Sequence, residues 1–198
     1  MAPPSFWVTS LAKSLSGDAP CLRPLWGFAH GWEKRPDENP GKMATWRADH
    51  SALIQRAVKQ ATSQGWKAKV EQWIQVTGSH AVIKGKVDIV AQKADARPRV
   101  VDCKGGEAKD TDVTQVLLYQ KMVPLSWKAP TMQFDGAVWY GEGIPPTRTT
   151  PAQADELWPR ATALVKRMAT LGIAPEPLPS FGACRFCAVR DEDCHARI

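Results

Sequence analysis

The sequence predicts an α/β fold with a mixed central sheet, and three observations predict it. Strand-like runs at 67–76, 81–91 and 98–104 follow one another through short links, which favours antiparallel pairing. A helical stretch then separates the third run from a fourth at 131–141, long enough to cross over to a parallel neighbour. Helical patterns at both ends supply cover for such a sheet.

The elements are expected in this order. Residues 5–16 read as a short helix, and the charged, Pro-rich 33–42 as a loop. From Met43 to about Gln64, Met43, Trp46, Leu53, Ile54, Ala57, Val58 and Ala61 recur at helical spacing, with His50 on the same stripe. Gly65 ends that helix. In the second strand Ile83, Val87 and Ile89 alternate with Lys84, Lys86 and Asp88, so one face is core and the other carries two lysines and an acid. Gly105-Gly106 breaks the third strand, Asp110 or Thr111 caps a helix to about Val123, and Pro124 stops it. Residues 141–150 read as a loop. Residues 151–171 read as a helix with Leu157, Ala161, Leu164, Val165, Met168 and Leu171 on one stripe; Pro159 is expected to kink or split it, and Gly172 to stop it.

At 198 residues the chain is read as one domain, long enough to bury a core, with 43% hydrophobic residues as in an ordinary soluble globule. No apolar run approaches the roughly 20 residues of a membrane span. The N-terminal Met1-Ala2-Pro3-Pro4-Ser5-Phe6-Trp7 lacks the pattern of a signal peptide, so the cytoplasm is expected. A net charge of +6 favours a polyanionic partner. Most of the nine tryptophans are expected in core or lid packing, with some free to stack on bases.

The chemistry concentrates in Val100-Val101-Asp102-Cys103-Lys104. Residues two apart on a strand share a face, so Asp102 and Lys104 point together and Cys103 turns into the core. With Asp88 one strand earlier, this suits metal-assisted attack on a phosphodiester: the acids hold a hard cation, the cation lowers the pKa of a bound water, and the lysine steadies charge on the phosphate. Gln115 and Tyr119, four apart, share a helix face that looks toward the same site. Cys184-Arg185-Phe186-Cys187 followed by Cys194 is a C-x2-C-x6-C array, and Cys21 supplies a fourth thiol. Four thiolates suit Zn²⁺ or a 4Fe–4S cluster, and His195 adds a Cys3His zinc possibility.

His50 on a helix, Gly85-Lys86-Val87-Asp88, Asp102-Cys103-Lys104 and Gln115-Val116-Leu117-Leu118-Tyr119, in that order, resemble the PD-(D/E)xK nucleases, and among them the RecB-like group. The resemblance implies a restriction-endonuclease-like core. It implies that Asp88, Asp102, His50 and the carbonyl of Cys103 hold Mg²⁺ or Mn²⁺, and that Lys104 positions or activates the attacking water. Gln115 and Tyr119 orient Lys104 or the substrate phosphate, and Glu71 is a further candidate acid. One cysteine before the nuclease motifs and three after them resemble the iron–sulfur subset, which includes the CRISPR-adaptation nuclease and exonuclease V-type enzymes. On that layout 43–142 is the catalytic core, and 1–32 with 172–198 forms a part in which Cys21, Cys184, Cys187 and Cys194 bind 4Fe–4S, with Zn²⁺ as the alternative. The implied activity is metal-dependent cleavage of DNA, on single strands or overhangs, with a place in CRISPR spacer acquisition. The competing implication is a subunit active only with partners such as CRISPR integrase proteins. Lys84 and Lys86 are candidate phosphate contacts, with Lys166, Arg167, Arg185 and Arg190 behind them. No membrane partner is expected.

Overall fold

The computed structural model describes residues 2–36 and 39–196; Asp37 and Glu38 of the expected loop, and Met1, Arg197 and Ile198 of the expected terminal part, lie outside it. The elements run β1 (Ser5–Trp7), α1 (Val8–Ser16), α2 (Arg23–Ala29), α3 (Pro40–Ser63), β2 (Lys67–Thr77), β3 (Val82–Lys93), β4 (Ala96–Cys103), α4 (Asp110–Ser126), β5 (Asp135–Trp139), β6 (Thr147–Thr149), α5 (Pro151–Thr170), α6 (Phe181–Arg185) and a 3₁₀ turn at Asp191–Asp193. The six strands form one mixed sheet. β2–β3 and β3–β4 pair antiparallel, and α4 carries the chain over to β5, which lies parallel to β4. Two apolar clusters cover the sheet. One, around Phe6, Leu11, Val87, Leu118 and Met168, joins it to α1, α4 and α5; the other, around Leu53, Ile54, Ile89 and Cys103, joins it to α3.

Several local expectations need correction. Residues 5–7 are strand rather than helix, because they pair parallel with Val82–Lys84 and bury Phe6. α3 starts at Pro40 inside the expected loop, since Asn39 accepts a hydrogen bond from the Lys42 N–H and Pro40 suits the first helical position. The cap of α4 is Lys109, whose N–H donates to Asp112 Oδ2 at 3.2 Å, and neither Asp110 nor Thr111. Pro124 lies within the last turn of α4 instead of ending it, and Pro159 does not split α5. Leu171, in extended backbone, terminates α5 without a left-handed glycine. The expected 131–141 strand shortens to Asp135–Trp139, and β6 forms within the expected 141–150 loop by pairing with β5.

The largest correction concerns the alternation along β3. Ile83 and Val87 pack in the α4 cluster, whereas Ile89 packs in the α3 cluster. Its partner strand changes sides at the same place: Ile74 faces α4 and Ala68 faces α3. The register shows the rung between Val70↔Ile89 and Gln72↔Val87, that of Glu71 and Asp88, unpaired. Glu71 has φ 50°, a left-handed conformation that costs a non-glycine residue about 1–2 kcal/mol. This break swaps the faces of both strands and sets Asp88 at the swap.

Candidate active site

β3 changes neighbours along one edge. Val82–Lys84 pair with β1 and Ile89–Lys93 with β4, so Gly85–Asp88 have no strand beside them there. Backbone groups in such a gap need other partners. The Tyr119 hydroxyl donates to the Lys86 carbonyl at 3.0 Å, and the Cys103 N–H donates to Asp88 Oδ2 at 2.8 Å. Gly85 makes room for this, since a Cβ there would stand 2.8 Å from Tyr119 Cε1 and 3.0 Å from Val8 Cγ2. The gap thus holds the site open, and α4 plugs it from behind.

Around it the predicted residues meet. His50 Nε2 lies 3.3 Å from Asp88 Oδ1. Gln115 Nε2 donates to Asp102 Oδ1 at 3.0 Å and to the Tyr119 hydroxyl at 3.3 Å, while Lys104 Nζ donates to Gln115 Oε1 at 3.4 Å. Lys104 Nζ stands 2.7 Å from Asp102 Oδ2 as an ion pair, but that buried oxygen accepts no hydrogen bond of ordinary direction. Cys103 is fully buried against α3, as the two-residue alternation requires.

The electrostatics follow from burial and proximity. Burial raises the Asp102 carboxyl well above the ordinary carboxylate range; Lys104 pulls it down and Asp88 adds to the rise. Burial works against the Lys104 ammonium, but the charges of Asp102 and Asp88 outweigh it and lift its pKa above the ordinary lysine value. The charges of both acids thus favour the protonated form of Lys104. The hydrogen bond to Asp88 raises His50 above its ordinary value of 6.5 against the effect of burial. Burial pushes Tyr119 upward, so its hydroxyl stays a donor.

A cavity of about 970 Å³ opens from Lys104, Asp112 and Gln115 past Trp46 and Lys109 to Cys21, Cys184, Cys187 and Cys194. The four cysteines thus surround one space, and all are free thiols. Burial raises the Cys187 thiol, and its neighbours Cys21, Cys194 and Cys184 add to the rise. The Leu178 N–H donates to Cys21 Sγ at 3.4 Å. Arg23 ties the two chain ends together through the carbonyls of Asp193 and Pro175, and the Trp26 indole donates to the Leu171 carbonyl. Among the described residues no three His, Cys, Asp or Glu side chains already surround a common ion position. At the acidic site the Cys103 N–H engages Asp88 and Lys104 engages Asp102. The buried Asp102 Oδ2, partnered by the Lys104 ammonium alone, suits an oxygen-liganded divalent cation.

Some candidates lie elsewhere. Glu71 is exposed and bonds Lys86 Nζ at 2.6 Å rather than entering the acidic cluster. Lys84 and Lys86 stand outside the cavity, as do Lys166, Arg167, Arg185 and Arg190. Arg190 is taken up by Glu33, Glu192 and Asp193. His195 is exposed beside Cys194. Met43 and Trp46 are not core: Trp46 is 56% exposed and stacks on the His50 ring at 5.1 Å. Asp112 was not anticipated. It is buried, accepts from the Tyr140 hydroxyl at 3.2 Å and helps push Tyr140, itself raised mainly by burial, up to about 12. Its position three before Gln115 and seven before Tyr119 was the available signal, since that spacing shares a helix face.

This chain is similar to known proteins in fold and in family. The solved structures include a "Putative exonuclease" from Eubacterium rectale, with TM-score 0.54, 14% identity, and coverage of 98% of this chain and 89% of that one. They also include the protein SSO0001, with TM-score 0.48, 12% identity, and coverage of 100% and 89%. At such identities the first likeness speaks to fold alone. No curated protein matches the sequence. No described helix is long and apolar enough to cross a membrane. The model of the PD-(D/E)XK nuclease superfamily matches residues 18–192, which contain every acidic and basic residue of the site, and the chain belongs to that superfamily.

Proposed function

We propose that this chain is a Mg²⁺- or Mn²⁺-dependent deoxyribonuclease that digests single-stranded DNA or overhangs from an end. The observation that carries the reading is the meeting of Asp88, Asp102, Lys104 and Gln115 at the strand gap. Asp88, Asp102, His50 and the Cys103 carbonyl would hold the cation, which supplies polarisation of the phosphate and an activated water when bound. Lys104, kept protonated by Asp102 and Asp88, offsets negative charge developing on the phosphate. Gln115 fixes the Asp102 carboxylate and the Lys104 ammonium relative to each other, and Tyr119 anchors Gln115 to β3. An end-labelled linear single strand should be degraded while a circular single strand of the same sequence survives. Equal loss of the circle would replace the exonuclease reading by an endonuclease one.

The proposal extends to the chain ends. Residues 1–32 and 172–198 would form a part holding 4Fe–4S on Cys21, Cys184, Cys187 and Cys194, beside a catalytic core at 43–142. The four thiols around one cavity and the N–H donated to Cys21 Sγ support it, and metal affinity there would add to folding stability. Protein purified without oxygen should be brown and contain about four irons, and Cys184→Ser should lose both. A colourless, zinc-containing protein would favour the zinc alternative. Processing of DNA for CRISPR spacer acquisition belongs to the same reading and rests on the family resemblance. A partner-dependent subunit is the second reading, favoured by the exposed Phe181, at 72%, and Phe186, at 80%, beside the cysteines.

A further inference from the structure

We propose that the open face of the sheet beside the site is a track for unpaired nucleotides, with Trp73 and Trp7 as stacking platforms and Lys86 and Lys84 as phosphate contacts. The inference rests on the nuclease reading and names where its substrate lies. The register builds the row. Trp73 is the cross-strand partner of Lys86, two residues before Asp88, and Trp7 is the partner of Lys84, two residues earlier still. Each step is about 7 Å along the strand. All these side chains share the face opposite Gly85 and Val87, whose face α1 and α4 cover.

Trp73 is 67% exposed and Trp7 38%, unlike the buried Trp66 and Trp139. They meet edge to face at 5.7 Å, and Lys84 Nζ sits 5.1 Å from the Trp7 ring centre. Large aromatics in water on a sheet face add little to folding, whereas unpaired bases offer them flat partners of any sequence. The flanking charge is net positive: Lys86 and the neighbouring Glu71 offset each other as an ion pair, and Lys84 adds a further cation. A protein partner would also cover aromatic surface, but the lysines spaced along the row favour the nucleic acid.

The test is fluorescence anisotropy of the whole chain with labelled oligo(dT), and with a blunt duplex of equal charge, in EDTA so that no cleavage intervenes. Trp73→Ala should weaken oligo(dT) binding roughly 5- to 150-fold, the range expected for one lost base stack. Trp73→Phe should recover much of it, and duplex affinity should hardly change. Oligo(dT) should quench tryptophan fluorescence in the wild type and less in Trp7→Ala. Wild-type affinity in both alanine variants would overturn the proposal and leave the face to a protein partner. An equal loss for single strand and duplex would overturn it too, since the face would then not read unpaired bases. A wild type that cleaves while Trp73→Ala binds normally refutes the track alone. A wild type that binds through Trp73 yet never cleaves with Mg²⁺ or Mn²⁺ refutes the nuclease reading alone.

Discussion

Replacing Asp102 or Lys104 by alanine should reduce DNA cleavage at least about a hundredfold, the usual cost of removing one group aimed at developing charge. Lys104 is the cation nearest the acids, and Asp102 holds that ammonium through its buried Oδ2. Either change leaves the sheet register in place. Asp102 lies where β3 and β4 part, past the last shared rung at Ile89↔Val101, and Lys104 follows β4. Circular dichroism should therefore report a folded protein in both variants. Asp102→Asn is the finer probe, because it keeps the shape and removes the charge; it should be nearly as inactive as Asp102→Ala. Cleavage at the wild-type rate in either alanine variant would mean that the site lies elsewhere.

Gly136→Ala should damage the fold strongly. A Cβ there would stand 2.2 Å from Thr149 Oγ1, 2.4 Å from Val116 Cγ1 and 2.8 Å from Gln120 Oε1. These atoms belong to two segments, α4 and β6. Gly136 pairs with Val100 on one side and Thr149 on the other, and α4 lies across it. Thr149 and Gln120 are also bonded to each other at 2.7 Å, and Gln120 donates to the Phe134 carbonyl, so none of them moves without breaking a buried hydrogen bond. Overpacking of this kind costs about 3 kcal/mol. For a chain of this size that lowers Tm by about 6–12 °C. Gly172→Ala, with nothing within 4 Å of the added carbon, is the control and should leave Tm unchanged. Calorimetry on the three proteins decides it.

What the sequence reveals depends on how local the cause is. Strand order, antiparallel links and the crossover helix follow from runs and breaks in one stretch of chain, and they appear as expected. The strand at Ser5–Trp7 does not, because its three residues become strand only by pairing with Val82–Lys84, far along the chain. Strict alternation placed Val87 and Ile89 on one face; the unpaired rung at Glu71 and Asp88 separates them, and neither residue type signals such a break. Helical spacing put Trp46 with Leu53 on one stripe, but spacing does not reveal where the sheet beneath a helix ends. At the site, Asp88, Asp102, Lys104, Gln115 and Tyr119 were legible because their ordered motifs span several elements. Glu71 was read toward the cluster on position alone, and Lys86 takes its carboxylate.

We propose that these acids and Lys104 hydrolyse DNA with a divalent metal. The direct measurement is a titration of Mg²⁺ or Mn²⁺ into EDTA-stripped wild-type protein with an end-labelled single strand. The expected result is no cleavage in EDTA, activity that rises and saturates with metal, and no such rise in Asp102→Ala. Cleavage that persists undiminished in EDTA, or a folded wild type inactive at every concentration of either metal, would contradict it.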